Sequence, residues 1–158
     1  MNYRTLFLAV SLLLVAGVNG QYKGKIKKVY DGETFWIELD NGNIDSVRLW
    51  GIDCPELGQQ YGKAAQKYLE SHIHREVNLE YKSRDKNKFM MAIVTYSLKN
   101  GDEVNLNNLL IEKGYAWKNK YSDDKKLEKL QEQARKKKLG LWRNSNPVPP
   151  WEWRKANK

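Results

Sequence analysis

Alternating hydrophobic and polar positions predict five β-strands in this chain. The predicted strands have the sequences KIKKVY, TFWIEL, IDSVRLWGI, EVNLEYKS and FMMAIVTYSL. Asp31-Gly32 and the segment DNGN at 40–43 have turn composition and divide the first three strands into a meander, and Asn100-Gly101 marks a turn after the last strand. In the third strand Val47 and Leu49 face the core, so Arg48 projects from the opposite face.

A helical spacing of hydrophobic residues predicts three helices. The first lies within residues 59–73, between the third and fourth strands. The second follows the fifth strand, with Asn105 as its N-cap and Gly114 as its stop. The third covers about residues 124–138. Five strands with one intervening helix and two later ones predict an α+β fold built on a small barrel, and the proline-rich tail from Asn144 is predicted to be irregular, with its tryptophans packed back on the domain.

The N-terminal segment differs from the rest of the chain. A basic start at Arg4 precedes 13 residues without charge, LFLAVSLLLVAGV, and then small residues. This layout predicts a signal peptide over residues 1–20, cleaved between Gly20 and Gln21, and a single domain over 21–158. A membrane anchor is the weaker alternative because about 20 apolar residues are needed to span a bilayer. We therefore expect an exported, monomeric protein without a membrane span.

Charge and cysteine content narrow the functional classes. The formal net charge is +9, which suggests an anionic partner such as nucleic acid, although a solvated basic surface explains the charge equally well. Cys54 is the only cysteine, so an intramolecular disulfide is excluded. Cys54 is interpreted as a small, half-buried residue rather than a nucleophile, and His72 and His74 are predicted to face solvent.

Carboxylates at strand ends suggest a site for a hard cation. Glu33 follows the first turn, and Asp53 and Glu56 follow the third strand, so a curled meander can bring all three together. Oxygen ligands of this kind suit Ca²⁺ or Mg²⁺, and Arg48 beside them suits a phosphate. A cation, an arginine and a free glutamate together suit phosphodiester hydrolysis. The alternative is that these acids are turn residues, with Glu56 capping the next helix.

Several motifs resemble the staphylococcal nuclease (thermonuclease) family, in the order of that family and over nearly all of residues 21–158. They are DGET, VRLWGIDCPE, YGKAA, VNLNNLLIEKGYAW, ARKKKLGLW and PWEWR. The resemblance implies an OB-type five-stranded barrel with about three helices. It also implies activity on DNA and RNA with Ca²⁺, often in exported proteins.

The resemblance also implies roles for individual residues. Arg48 would contact the scissile phosphate and Glu56 would be the general base. Asp53 would bind calcium, and the carbonyl of Cys54 would face the ion. Glu33 stands where the family usually has an aspartate ligand, and its longer side chain would still permit ligation.

The segment RDKNKF departs from the family pattern. Lys86 matches a lysine near the substrate phosphates, but Phe89 stands where the family has its second catalytic arginine. Lys88 is adjacent, and a lysine cannot reproduce the two-pronged contact of a guanidinium. Alternatively, Lys86 and Lys88 are solvated loop charges. We therefore predict an exported Ca²⁺-dependent nuclease, slowed by Phe89; the alternative is a weakened OB-fold module that binds nucleic acid or another polyanion.

Overall fold

The computed structural model describes residues 20–157. The predicted signal peptide therefore lies outside the described residues, apart from Gly20. Eight strands are present in the described part: β1 (Gln21–Val29), β2 (Thr34–Leu39), β3 (Ile44–Leu49), β4 (Ile52–Asp53), β5 (Glu76–Arg84), β6 (Met90–Ser97), β7 (Glu103–Asn105) and β8 (Trp117–Lys118). The helices are α1 (Gly62–Glu70), α2 (Leu106–Glu112), α3 (Lys125–Lys136) and α4 (Pro150–Ala156).

Five of the strands close into a barrel. Antiparallel pairing gives the order β3-β2-β1-β5-β6-β7, and a parallel pairing of β3 with β6 joins the two ends of the five-stranded set. The short strands β4 and β8 pair separately. The predicted α+β fold with a five-stranded OB-type barrel is confirmed.

Burial follows the predicted alternation. Phe35 and Ile37 on β2 and Val47 and Leu49 on β3 are fully buried, because every second side chain points into the barrel. Arg48 lies between two core residues and projects outward, opposite Thr34 on the neighbouring strand. The barrel thus fixes the direction of Arg48 through its two hydrophobic neighbours.

The helices pack around the barrel and begin at recognisable caps. The side chain of Asn105 accepts a hydrogen bond from the backbone N–H of Asn108, which confirms the predicted N-cap of α2. Asp124 caps α3 in the same way. A 3-10 turn, Gly140–Arg143, connects α3 to the tail.

The prediction of an irregular tail is wrong, because Pro150–Ala156 forms α4. Proline at the first helical position already has the helical φ and needs no N–H there, and Glu152 lies in the first turn, where a negative charge is favoured. Trp151 packs edge-on against Trp117 with ring centroids 5.8 Å apart, in agreement with the predicted back-packing of the tail. Within residues 20–157, no helix is long and apolar enough to cross a membrane.

Candidate active site

Three segments that are distant in sequence form one cleft of about 530 Å³. They are the β1–β2 turn, the segment that follows β4, and the β5–β6 turn, and a side chain from α4 joins them. The acids and bases that line this carboxylate cleft are Asp31, Glu33, Arg48, Asp53, Glu56, Asp85, Lys86 and Arg154, together with Cys54.

Backbone hydrogen bonds hold the β1–β2 turn in place. The Asp31 Oδ1 atom accepts from the backbone N–H groups of Glu33, at 2.9 Å, and Thr34, at 2.7 Å. The Glu33 carboxylate reaches across the cleft and accepts the backbone N–H of Cys54 at 2.8 Å. The Cys54 thiol donates to the carbonyl oxygen of Gly32 at 3.2 Å. The turn and the segment after β4 are therefore tied together.

The cleft is electrostatically unfavourable for its own carboxylates. Burial, followed by the negative charges of Asp53 and Asp31, raises the pKa of Glu33 well above its usual value. The Cys54 N–H and the charge of Arg48 oppose that rise without cancelling it. Burial and the same carboxylates raise the pKa of the Cys54 thiol, which agrees with its interpretation as a packing residue and not a nucleophile.

Arg48 is held on several sides. Its Nε atom donates to Thr34 Oγ1 at 3.2 Å and lies 3.7 Å from Glu33 Oε1. Its Nη1 atom donates to Asp85 Oδ2 at 3.3 Å. The guanidinium carbon also lies 4.9 Å from the centroid of the Phe89 ring. The Phe89 ring therefore packs against the guanidinium of Arg48.

The sequence analysis missed Asp85 as a site residue. Its Oδ1 atom accepts from the backbone N–H groups of Asn87, at 2.8 Å, and Phe89, at 2.9 Å, while Oδ2 binds Arg48. The aspartate at the start of a polar turn is a sequence sign of this local bonding. Nothing in the local pattern indicates that the same carboxylate reaches Arg48 on β3.

The two predicted lysines behave differently. Lys86 lines the carboxylate cleft, as the resemblance implies. Lys88 does not belong to the cleft lining; it has a left-handed φ of 67° at the tip of the β5–β6 turn, and its carbonyl accepts from Arg84. The structure thus brings Lys86 to the site and gives Lys88 a role in the turn.

Arg154 on α4 binds two of the predicted site residues. Its Nη1 and Nη2 atoms donate to the two carboxylate oxygens of Asp53 at 3.0 and 2.8 Å. Nη1 also donates to Glu56 Oε1 at 2.6 Å. These bonds raise the pKa of Arg154 further above its usual range. The sequence analysis assigned the tail no part in the site.

The donor chemistry of the cleft fits a hard divalent cation. Its carboxylate oxygens are the ligands that Ca²⁺ prefers, and burial followed by the neighbouring negative charges raises the pKa of Glu33. Glu33 and Asp53 both line the cleft and carry oxygen donors of this kind. Across residues 20–157, however, no three His, Cys, Asp or Glu side chains form a group arranged to hold a metal. The predicted convergence of Glu33, Asp53 and Glu56 is thus only partial, because Arg154 binds the latter two.

Comparisons with known proteins identify relatives that match most of this chain. The chain is 29% identical to micrococcal nuclease of Shigella flexneri, over 98% of this chain and 93% of that protein. It is 35% identical to an uncharacterized endonuclease of Escherichia coli O157:H7, over 83% and 84% of the two chains. It is 30% identical to thermonuclease of Staphylococcus hyicus, over 76% and 75%.

A family model, described as staphylococcal nuclease homologue, matches residues 46–144. The matched range includes Arg48, Asp53 and Glu56, most of β3, strands β4 to β8 and helices α1 to α3. The chain therefore belongs to the staphylococcal nuclease family.

Proposed function

We propose that this protein is an exported, Ca²⁺-dependent nuclease that hydrolyses phosphodiester bonds in DNA and RNA. The family and the nuclease names of the relatives support phosphodiester chemistry. The observation that carries the proposal is the fixed guanidinium of Arg48 beside a cleft lined with carboxylates. A guanidinium and a carboxylate-bound cation together match the charge of a phosphodiester and of its transition state.

Arg48 would bind the scissile phosphate. Within residues 20–157, its Nε and Nη1 atoms have partners, but no side-chain hydrogen bond involves Nη2. Thr34 and Asp85 thus hold the guanidinium and leave one edge for a phosphate oxygen. Because these partners are already in place, little reorganisation is needed when negative charge develops on the phosphate.

Glu56 would accept a proton from the attacking water. It follows Pro55 at the mouth of the cleft and its side chain is about one-third exposed, at 35%, so water can reach it. As a carboxylate it would take the proton as the water oxygen bonds to phosphorus, while the bond from phosphorus to the leaving sugar oxygen breaks and that oxygen takes a proton from solvent. In this structure its Oε1 atom accepts a hydrogen bond from Arg154, which would have to release the carboxylate before Glu56 acts as a base.

Glu33, Asp53 and the backbone carbonyl of Cys54 would hold the cation. When bound, Ca²⁺ would supply positive charge to the phosphate and promote deprotonation of a nearby water. Asp53 is suited to this role because it is 4% exposed and belongs to β4, which pairs with β8. Lys86 would contact a neighbouring phosphate of the substrate. Phe89 supplies no charge, so we expect a slow enzyme.

A second candidate function is binding of nucleic acid or another polyanion without hydrolysis. One observation favours it: Arg154 binds both Asp53 and Glu56. The resemblance adds that Phe89 would stand in place of a catalytic arginine. The net charge of +9 serves either function. Salt-sensitive binding of single-stranded DNA without any cleavage would identify this second function.

Export is part of the proposal and rests on the sequence of residues 1–20, with a basic start, an apolar segment and small residues. Expression in a bacterial host followed by mass spectrometry tests it. We expect a mature N-terminus at Gln21 in the exported fraction. An intact N-terminus retained with the cells would contradict export.

The test of the nuclease proposal is digestion of single-stranded DNA and RNA with Ca²⁺ by the wild-type protein and Glu56→Gln. Loss of the general base is expected to lower the rate about 10²- to 10⁴-fold. The matched control is Glu80→Gln, which changes an exposed carboxylate on β5 that pairs with Lys82. Equal rates for Glu56→Gln and the control would overturn the role of Glu56.

A further inference from the structure

The guanidinium of Arg154 occupies the position of a counter-ion in the carboxylate cleft. It binds both oxygens of Asp53, which is almost completely buried, and one oxygen of Glu56. A buried carboxylate requires a compensating charge, and a two-pronged guanidinium supplies one with good geometry. In this structure the charge of Asp53 is therefore compensated by the protein itself.

A defined segment delivers Arg154 to the cleft. We call residues 144–157 the C-terminal segment. Asn144 donates to the side chain of Gln60 at 2.7 Å, and Gln59 donates to the carbonyl of Val148 at 2.5 Å. The segment is thus docked on the loop that carries Glu56.

Packing of aromatic side chains completes the docking. Trp151 packs against Trp117, the β8 residue that pairs with Asp53 on β4. Trp153 lies against the same loop, near Gly58. The packing of α4 therefore places its next residue, Arg154, at the cleft.

We propose that Arg154 is a resident cation, and that a divalent cation binds Asp53 only by displacing the guanidinium. The C-terminal segment would thereby set the affinity of the site for Ca²⁺ and would keep Glu56 engaged until the cation is bound. This inference rests on the proposed function for the identity of the cation, but it concerns binding and can be measured without catalysis.

A divalent cation and the Arg154 guanidinium compete for Asp53, and of the two residues Arg154 is the one that can move. A divalent cation on Asp53 would bind the same two oxygens as the guanidinium of Arg154. The two positive charges would then be close together and would repel each other. Asp53 belongs to a paired strand and is almost completely buried, so its side chain cannot move out of the cleft. The side chain of Arg154 is 44% exposed and stands on a helix of seven residues, so it can turn toward solvent.

The experiment measures the Ca²⁺ affinity of the purified protein by isothermal titration calorimetry. The variants are Arg154→Gln, Arg154→Lys and the matched control Lys155→Gln, which removes an equal charge from an adjacent exposed position of α4. We expect Arg154→Gln to bind Ca²⁺ about tenfold more tightly or better, and Lys155→Gln to remain within about twofold of the wild type. Arg154→Lys is expected to lie between them, since it keeps the charge and loses the fork.

Thermal unfolding supplies a second readout. In chelator, Arg154→Gln is expected to unfold at a lower temperature than the wild type because Asp53 has lost its counter-ion. Added Ca²⁺ should raise the unfolding temperature of this variant more than that of the wild type. If Arg154→Gln does not fold, the Ca²⁺ affinity of Arg154→Lys decides the question.

Several outcomes would overturn the proposal. They are unchanged or weaker Ca²⁺ binding by Arg154→Gln, an equal gain in Lys155→Gln, or no Ca²⁺ binding by any of the four proteins. Failure of the proposed function would appear separately. Tighter binding by Arg154→Gln without digestion of nucleic acid by any of the four proteins would support the displacement and refute the nuclease.

Discussion

Arg48 shows how one side chain acquires a role from its neighbours. Val47 and Leu49 orient it outward, Thr34 and Asp85 bind its nitrogen atoms, and Phe89 covers its face. These contacts fix the orientation of the guanidinium plane. Arg48 can therefore bind a phosphate through its two-pronged geometry as well as through its charge.

Replacement of Arg48 by lysine tests that geometry. A lysine keeps the charge but lacks the planar fork whose separate nitrogens reach Thr34, Asp85 and a phosphate, so we expect the cleavage rate to fall about 10²- to 10³-fold. The measurement is the initial rate of DNA cleavage at saturating Ca²⁺. Arg143→Lys is the control, since Arg143 is exposed at the end of the 3-10 turn and is not among the residues that line the cleft. A rate for Arg48→Lys close to that of the control would show that charge alone suffices.

His72 contradicts the prediction that both histidines face solvent. It is 6% exposed and packs between the rings of Tyr68 and Tyr96, whereas His74 is exposed, as predicted. Burial lowers the pKa of His72. The local sequence does not reveal the burial because Tyr96, on β6, approaches from a distant part of the chain.

The lowered pKa of His72 has a consequence for stability. Below the usual histidine pKa of 6.5, the unfolded chain binds a proton that the folded chain resists, so the free energy of unfolding falls as the pH decreases through this range. We expect His72→Gln to lose that component of the pH dependence and His74→Asn to retain it. Denaturant unfolding at several pH values from neutral to mildly acidic measures both. An unchanged slope in His72→Gln would contradict the account.

At the scale of elements, the start of α1 is bonded to the loop that contains Glu56, residues 54–61, and so affects one side of the cleft. The backbone N–H of Gly62 donates to the carbonyl of Gln59 at 3.0 Å, and Gln59 donates to the carbonyl of Glu56 at 2.8 Å. A Cβ atom on Gly62 would overlap the carbonyl oxygen of Glu56. The start of α1 therefore sets the backbone position of Glu56.

Gly62→Ala should disturb both stability and activity. We expect a loss of about 1–3 kcal/mol in the free energy of unfolding, because the loop must shift to make room, and slower cleavage because Glu56 moves with it. Gly58→Ala is the matched control: it lies in the same loop, and its Cβ would make an ordinary 3.4 Å contact with Trp153. Normal cleavage by Gly62→Ala would contradict this coupling of α1 to Glu56.

The elements were predictable to the extent that their signals are local. The period-two pattern identified the barrel strands, and Asn105 identified the start of α2. The tail was mispredicted because its proline and tryptophan content suggested an irregular segment, although a proline at the first helical position favours α4. The parallel pairing of β3 with β6, which closes the barrel, has no local signal.

The site residues, too, were predictable only where the sequence signal is local. The motif from Arg48 to Glu56 contains its own sequence signal, and the structure places Arg48, Asp53 and Glu56 around one cleft. Arg154 lies 101 residues from Asp53 in the chain. Only the fold brings the two together, so no spacing or periodicity could have indicated the contact.

At the scale of the whole molecule, the charges are distributed unevenly. A protein of net charge +9 concentrates five carboxylates along one cleft: Asp31, Glu33, Asp53, Glu56 and Asp85. The net positive charge favours long-range attraction of a polyanion, and under the proposed function a bound cation would offset the remaining negative charge of the cleft before a phosphate enters. We therefore expect the binding of nucleic acid and its cleavage to respond differently to Ca²⁺.

The most direct test of the account is cleavage of single-stranded DNA by the unmodified protein, first with Ca²⁺ and then after chelation. We expect cleavage with Ca²⁺, loss of cleavage in chelator, and recovery when Ca²⁺ is restored. Equal cleavage in chelator, or none under any of the three conditions, would contradict the proposal that this barrel is a Ca²⁺-dependent nuclease.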